Sequence, residues 1–297
     1  MVVNGAGIVV ALQANYLEVE LNTVPKGYPK RLLCTRRSRL SHRGMDVHVG
    51  DRVHVEAIDP KQARAVVVDV SPRKSWLTHP SVANASLVVV VLAVDQPTFD
   101  PDQASRFLLA AERTGLDIQL VLTKVDLISE DALTRLCGRL RAWGYETLLV
   151  SSKTGFGIEI LKQRLQRSTL AVLYGPSGVG KSSLLNNLLP YLSLRVGTIS
   201  KRLQRGQHTT RHVELFPLGK QTLVADTPGF HSSNAIDGLI EVASLFPELR
   251  CQLDPWPCRF RNCSHQKEPG CGVDRDWERY NFYITEFNQV KKLTSYK

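Results

Sequence analysis

The stretch Gly175-Pro176-Ser177-Gly178-Val179-Gly180-Lys181-Ser182 decides the fold of this 297-residue chain. An apolar, strand-like run from Leu170 to Tyr174 precedes it, and a helical pattern from Ser183 to Leu189 follows. Strand, glycine-rich turn and helix in that order make a P-loop, with Gly175 to Ser183 as the candidate phosphate cradle. The glycines let backbone amides turn towards phosphates, Lys181 adds a point charge, and Ser182 offers its hydroxyl to magnesium. The helix N-terminus favours the same anion. A chance glycine-rich turn would not need both flanking elements. The Gly-Pro-Ser-Gly start also occurs in nucleotide kinases and transporter ATPases, so the neighbouring motifs must discriminate.

Downstream, Asp226-Thr227-Pro228-Gly229 follows an apolar run from Gln221 to Ala225, and Asp226 lies 45 residues beyond Lys181. This is the DxxG pattern, in which the aspartate holds magnesium and the Gly229 amide senses the terminal phosphate. A transporter ATPase would need a glutamate where Thr227 stands. Guanine recognition requires a carboxylate to accept the base's N1 and N2 protons, and nothing after Phe230 resembles the NKxD motif that supplies it. Upstream, Thr123-Lys124-Val125-Asp126 ends a strand-like run, and Ser151-Ser152-Lys153 ends another. Asp126 is the expected guanine reader, and the 151–153 loop the expected backbone contact to the guanine oxygen. Base-recognition motifs therefore precede phosphate motifs, the reverse of the conventional order. Joining old termini and cutting elsewhere preserves the same sheet, so the pattern predicts a circularly permuted P-loop GTPase domain.

Alternation predicts strands at 87–94, 118–123, 147–151, 170–174 and 221–226, with helices at 102–114, 130–142, 157–167 and 181–189. Before this region, short runs at 5–12, 16–21, 47–55 and 65–70, punctuated by turn residues, predict a small barrel of OB-fold type. Beyond residue 230 the chain reads as helical, then cysteine-rich, with a closing helix near 277–290. The expectation is a multidomain α/β protein: barrel at 1–72, GTPase domain at 73–230, and a small helical metal domain at 231–297.

The formal charge is +10, and its excess is uneven. Residues 1–86 carry 12 Lys/Arg against 7 Asp/Glu, residues 87–230 carry 17 against 12, and the remainder balances at 9 and 9. Clusters at Arg31, Arg36, Arg37, Arg39, Arg43 and at Lys201, Arg202, Arg205, Arg211 suit a polyanionic partner; a solvated basic face is the plainer alternative. No apolar run reaches the roughly 18 residues that a bilayer requires, and no secretion signal is evident, so a cytoplasmic protein without membrane partner is expected. Four of six cysteines fall within 21 residues. Cys258, Cys263, His265 and Cys271 offer three thiolates and an imidazole, enough for a closed, structural zinc site, with Cys251 as a possible substitute. Cys34 and Cys137 read as ordinary residues.

Taken together, these features resemble the RsgA (YjeQ) family of small ribosomal subunit biogenesis GTPases. Pro72-Arg73-Lys74-Ser75, Asn84, Gly206-Gln207-His208-Thr209-Thr210, the cysteine pattern and Arg279-Tyr280 carry the resemblance along nearly the whole chain. It implies an OB-fold, a permuted GTPase domain, a zinc domain, and a role in late maturation of the small subunit through its rRNA, with hydrolysis stimulated by that subunit. It also implies that the zinc ligands start at Cys258. Phe230 stands where many GTPases orient water with glutamine, so His208 is the expected replacement. Thr209 or Thr210 is expected to complete the magnesium shell beside Ser182 and Asp226, and slow intrinsic turnover follows. Thr123 departs from the usual loop-bracing asparagine; selectivity should survive with some loss of affinity. GTP and GDP, Mg2+, one Zn2+ and the small subunit are the expected partners of a monomer, in a cytoplasm or an organelle stroma. Two alternatives compete: a nucleotide kinase, which leaves TKVD, SSK and DTPG unexplained, and a zinc-stabilised RNA-binding protein with a vestigial nucleotide site.

Overall fold

The computed structural model describes residues 4–13, 15–38, 40, 46–192, 213–219, 221–226 and 242–294. Its chain divides into two compact units. The first comprises Met1–Val89, Ile158–Ser177 and Lys181–Phe230; the second comprises Val90–Gly157, Gly178–Gly180 and His231–Lys297.

The first unit opens with five strands: β1 (Gly5–Leu12), β2 (Leu17–Leu21), β3 (Arg31–Arg36), β4 (Arg52–Asp59) and β5 (Arg64–Val70). They pair in the order β1-β2-β3-β5-β4, and β4 returns to β1, closing a barrel. Only the β3–β5 pair is parallel among these contacts. This is the five-stranded OB-type barrel. Alternating inward residues fill it, among them Val9, Leu17, Val19, Leu32, Cys34, Val53, Val55 and Val67.

Two sequence expectations change here. β3 lies inside the arginine-rich stretch that pattern leaves without a strand, because only Leu32 and Cys34 are fully buried along it. Its charge is partly balanced, since Arg31 bonds Glu20 at 3.2 Å and Arg37 bonds Glu56 at 3.4 Å. Arg39 and Arg43 lie outside the described residues. The run at 47–55 is not one strand either. Gly50 turns it at φ +88, in a spot where a Cβ would stand 2.1 Å from the Ala83 carbonyl, and β4 begins only at Arg52.

Beside that turn the Asp51 carboxylate is fully buried. It accepts a fork from Arg73 (2.8 and 2.9 Å) and the His48 amide (2.8 Å). Asn84 donates to the Gly50 carbonyl at 3.0 Å and accepts from the Lys74 amide at 2.8 Å. The Pro-Arg-Lys-Ser run and Asn84 thus fasten the end of the barrel. Between them runs a small hairpin, β6 (Trp76–Thr78) and β7 (Ser81–Ala83).

A sheet continues in the same unit through β11 (Leu170–Tyr174), β13 (Leu223–Asp226) and β12 (Glu214–Pro217). β11 and β13 are parallel, β12 is antiparallel to β13, and Glu214 pairs with Ala11 of β1. In the second unit the later part of β8 (Leu87–Ala93), β9 (Asp117–Thr123) and β10 (Thr147–Leu149) lie side by side in that order, β9 and β10 parallel. The boundary between units falls within β8 (Leu87–Ala93). Every residue of β8 and β11 is buried, as expected of strands covered on both faces.

Among the described residues the α-helices are α1 (Pro101–Glu112), α2 (Glu130–Ala142), α3 (Ile158–Leu165), α4 (Lys181–Leu188), α5 (Pro247–Leu253) and α6 (Tyr280–Thr294). Local chemistry sets their starts. Asp100 caps the amides of Asp102 and Gln103 ahead of Pro101, and Ser129 caps Ala132 with Glu130 and Asp131 behind it. The C-terminal region builds its own core from Val242, Phe246, Leu249, Tyr283 and Val290, and Leu109 of α1 inserts into it. No described helix is long and apolar enough to cross a membrane.

Candidate active site and metal centre

The phosphate half begins where buried β11 delivers the chain to Gly175 and ends in the first turn of α4, at Lys181, Ser182 and Ser183. Gly178 and Gly180 adopt φ +80 and +95, conformations that side chains disfavour. Lys181 folds back over this loop and donates to the carbonyls of Gly175 (2.8 Å) and Pro176 (2.7 Å). Burial pushes its ammonium down to about 8, while the Asp226 carboxylate pulls the other way. Asp226 closes β13 within the same unit. Gly229, His208, Thr209 and Thr210, together with Lys201 to Arg211 and Phe230, lie outside the described residues.

The base half belongs to the second unit, along with Gly178, Val179 and Gly180. Thr123, buried at the end of β9, donates its hydroxyl to the Val179 carbonyl at 2.6 Å, with the Leu92 carbonyl 3.2 Å away. The threonine therefore does brace the loop, through one hydroxyl where an asparagine amide would offer two hydrogens. Lys124 sits in the left-handed region (φ 59) and donates to the Gly178 carbonyl at 2.9 Å and to that of Gln96. Both side chains hold the P-loop backbone. The TKVD pattern places Lys124 in the base-recognition motif and gives no sign of this bracing of the P-loop.

Asp126 projects from a short 3-10 turn, Val125–Leu127, and is exposed. Its carboxylate accepts the Ser151 hydroxyl at 2.6 Å. That bond foremost, with Lys153 adding charge, holds its carboxyl below the ordinary range, so it is ionised and ready to accept two N–H groups. Ser151 is buried, and its oxygen also accepts the Thr154 amide at 3.2 Å. Ser151 is thus a side-chain support for Asp126 as well as a loop residue. Ser152 and Lys153 follow it on the turn. The turn closes at Gly157, where φ is +72 and a Cβ would meet the Leu149 carbonyl at 1.9 Å. No sequence motif marks Gly157; only that close approach explains it.

In the C-terminal region Cys258, Cys263, His265 and Cys271 gather with all their donor atoms within 4.8 Å of one another. A tetrahedral zinc with ordinary bond lengths requires about 3.8 Å between sulfurs and about 3.6 Å between sulfur and nitrogen. Cys258 and Cys271 sulfurs are 3.9 Å apart, and His265 Nδ1 lies 3.4 and 3.7 Å from them. These three spacings fit the ion, with His265 presenting Nδ1, and Cys263 Sγ lies within 4.8 Å of the others. Cys251 sits exposed on α5 and is not in the group. Around the group, Gly272 donates its amide to Cys258 Sγ at 3.3 Å, and Glu268 gathers the amides of Ser264, Gln266 and Lys267. Hydrogen bonding, first from Ser264, holds the Glu268 carboxyl down at about 2. Tyr280 and Tyr283 donate to the carbonyls of His265 and Ser264, each at 2.9 Å.

The profile of the RsgA GTPase family matches residues 70–236, which span both nucleotide half-sites. The chain belongs to the RsgA GTPase family. A protein of Parasynechococcus marenigrum (strain WH8102), named small ribosomal subunit biogenesis GTPase RsgA, is 68% identical over 97% of this chain and 96% of its own. Among solved structures, YjeQ from Thermotoga maritima is 32% identical with a TM-score of 0.77, covering 97% of this chain and 99% of its own. YloQ, described as a circularly permuted GTPase, is 28% identical with a TM-score of 0.75, covering 98% and 96%. As an RsgA-family member the chain is a GTPase with the permuted motif order, and the barrel, permuted domain and C-terminal cysteine cluster are all present.

Proposed function

We propose that this GTPase acts in late maturation of the small (30S) ribosomal subunit, binds its rRNA, and hydrolyses GTP under stimulation by that subunit. The observation that carries the reading is the joining of Thr123 and Lys124 to the carbonyls of Val179 and Gly178. It couples a guanine-type TKVD motif to a P-loop, which a nucleotide kinase would not need. Kinship with proteins named for small-subunit biogenesis supplies the substrate particle.

In this reading Asp126 accepts the guanine N1 and N2 protons, and the amides of Ser151, Ser152 and Lys153 face its oxygen. The amides of Gly175 to Ser183 and the Lys181 ammonium hold the phosphates. Ser182, Asp226 and Thr210 would hold magnesium, which when bound would supply positive charge to offset the charge developing on the phosphates. His208 positions the attacking water, and Thr209 or Thr210 with Gly229 senses the terminal phosphate. Positioning and charge dominate such chemistry, so turnover is slow without the stimulating subunit. One structural zinc on Cys258, Cys263, His265 and Cys271 completes a monomeric, three-part protein at 1–72, 73–230 and 231–297. Its place is the cytoplasm, or an organelle stroma in the alternative.

Hydrolysis of GTP and ATP, each with and without purified small subunits, tests this directly. GTP turnover should rise at least tenfold with subunits while ATP turnover stays at background. Equal rates with and without subunits would remove the ribosomal assignment.

A further inference from the structure

The 151–153 loop follows the shortest described strand of its sheet. β10 has three residues and, among the described residues, pairs only with β9, through Thr147, Leu148 and Leu149. Its far end leads to Ser151, which holds Asp126. Its near end is the corner Trp143-Gly144-Tyr145 that closes α2. Beyond this short ladder, Val150 donates to the Leu122 carbonyl at 2.9 Å and accepts from the Val125 amide at 3.4 Å; a ladder so short fixes a strand poorly, so the corner at its near end shares in setting where β10 lies.

The C-terminal region grips that corner. Arg279 is 3% exposed, and its guanidinium lies 4.8 Å from the Trp143 ring centroid, 5.6 Å from Tyr145 and 5.3 Å from Phe246. It forks onto the buried Glu248 carboxylate at 2.6 and 2.5 Å. Gly144, at φ +89, lies so near that a Cβ there would stand 2.5 Å from Cβ of Pro247. Glu278, one residue away, accepts from Arg139 (2.7 and 2.9 Å) and from the Trp143 indole (2.9 Å). Tyr145 donates to Glu112 at 3.0 Å, and Glu112 also accepts from Arg250 at 2.9 Å. On the other side, Tyr280 directly after Arg279, and Tyr283, bond the carbonyls of His265 and Ser264 in the metal-ligand loop.

We propose that Arg279 is a positioning residue for guanine recognition: the metal-ligand loop orients Arg279 and Glu278, they fix the 143–145 corner, and β10 transmits that placement to Ser151 and Asp126. Arg279 touches no nucleotide. Its effect falls on selectivity for the base, which depends on Asp126, and spares the phosphate contacts of Lys181. The metal arm of this inference rests on the zinc reading above.

The test uses the full chain as wild type, Arg279→Met and Glu278→Gln. Each is assayed for zinc per chain, thermal melting, and dissociation constants for GDP and inosine diphosphate, which lacks the 2-amino group that Asp126 reads. A low zinc content in wild type would refute the zinc reading alone. For the positioning role, the expected result is a GDP preference reduced about tenfold in Arg279→Met, and by a smaller factor in Glu278→Gln, with inosine diphosphate, which keeps only the N1 proton, losing less affinity than GDP. Glu278 is partly exposed, so its variant decides the matter should Arg279→Met fail to fold. Folded variants that keep the wild-type preference would overturn the proposal.

Discussion

At the residue scale, single polar groups make each half-site specific. Thr123 is the clearest case. Its hydroxyl serves the buried Val179 carbonyl at 2.6 Å, and removing one partner of a buried bond costs about 1–3 kcal/mol. Thr123→Val should lower stability by that amount and speed GDP release, read by melting and by stopped-flow displacement of a fluorescent GDP. An unchanged release rate would mean the hydroxyl is idle. Lys181 sets a pH dependence. Burial holds its free-site ammonium near 8, below the ordinary 10.5. Bound phosphates stabilise the charged form, so binding takes up a proton above about pH 8. GDP affinity should therefore be flat below that value and fall towards tenfold per pH unit as the pH rises above it, up to the bound-state value. Titrations between pH 7 and 9.5 give the slope; a flat profile would contradict the assignment. Lys181, Asp126 and Ser182 stand out in the sequence as candidates because phosphate and guanine chemistry call for those groups at those spacings. The hydroxyl of Ser151 under Asp126 does not, since nothing in a Ser-Ser-Lys run says which way a side chain turns.

At the scale of elements, strands with two covered faces announced themselves. β8 and β11 are continuous apolar runs and stand almost where the pattern put them. β3 and β12 did not, because β3 hides two inward residues among arginines and β12 has four residues ending in proline. The metal-ligand loop was legible as a ligand set, because sulfur and imidazole at short spacing have few other uses. Its packing was invisible, since Trp143 meets Glu278 across 135 residues of chain. The loop has little core of its own beyond Tyr280, Tyr283 and the donors, so the metal should carry much of its stability. Cys271→Ser should reduce zinc below one per chain and lower the melting temperature by about 5 °C or more. Retention of one zinc per chain in that variant would remove Cys271 from the ligand set.

Across the whole molecule, permutation redistributes the GTPase motifs between two compact units. Asp226 and Lys181 belong to the first, and TKVD, the 151–153 loop and the C-terminal region to the second. The order of motifs announced the permutation, whereas the grouping of the C-terminal region with the base-reading motifs could come only from coordinates. The central claim is that Asp126 reads guanine in this rearranged frame, and Asp126→Asn tests it most directly. An asparagine amide can donate to the 2-oxo group of xanthine but cannot accept both guanine protons. The measurement is the affinity of wild type and variant for GDP and xanthosine diphosphate. The prediction is a reversal: the variant loses GDP by at least about a hundredfold and gains xanthosine diphosphate. A variant that still prefers GDP as the wild type does would contradict it, and the base reader would have to be sought elsewhere in the chain.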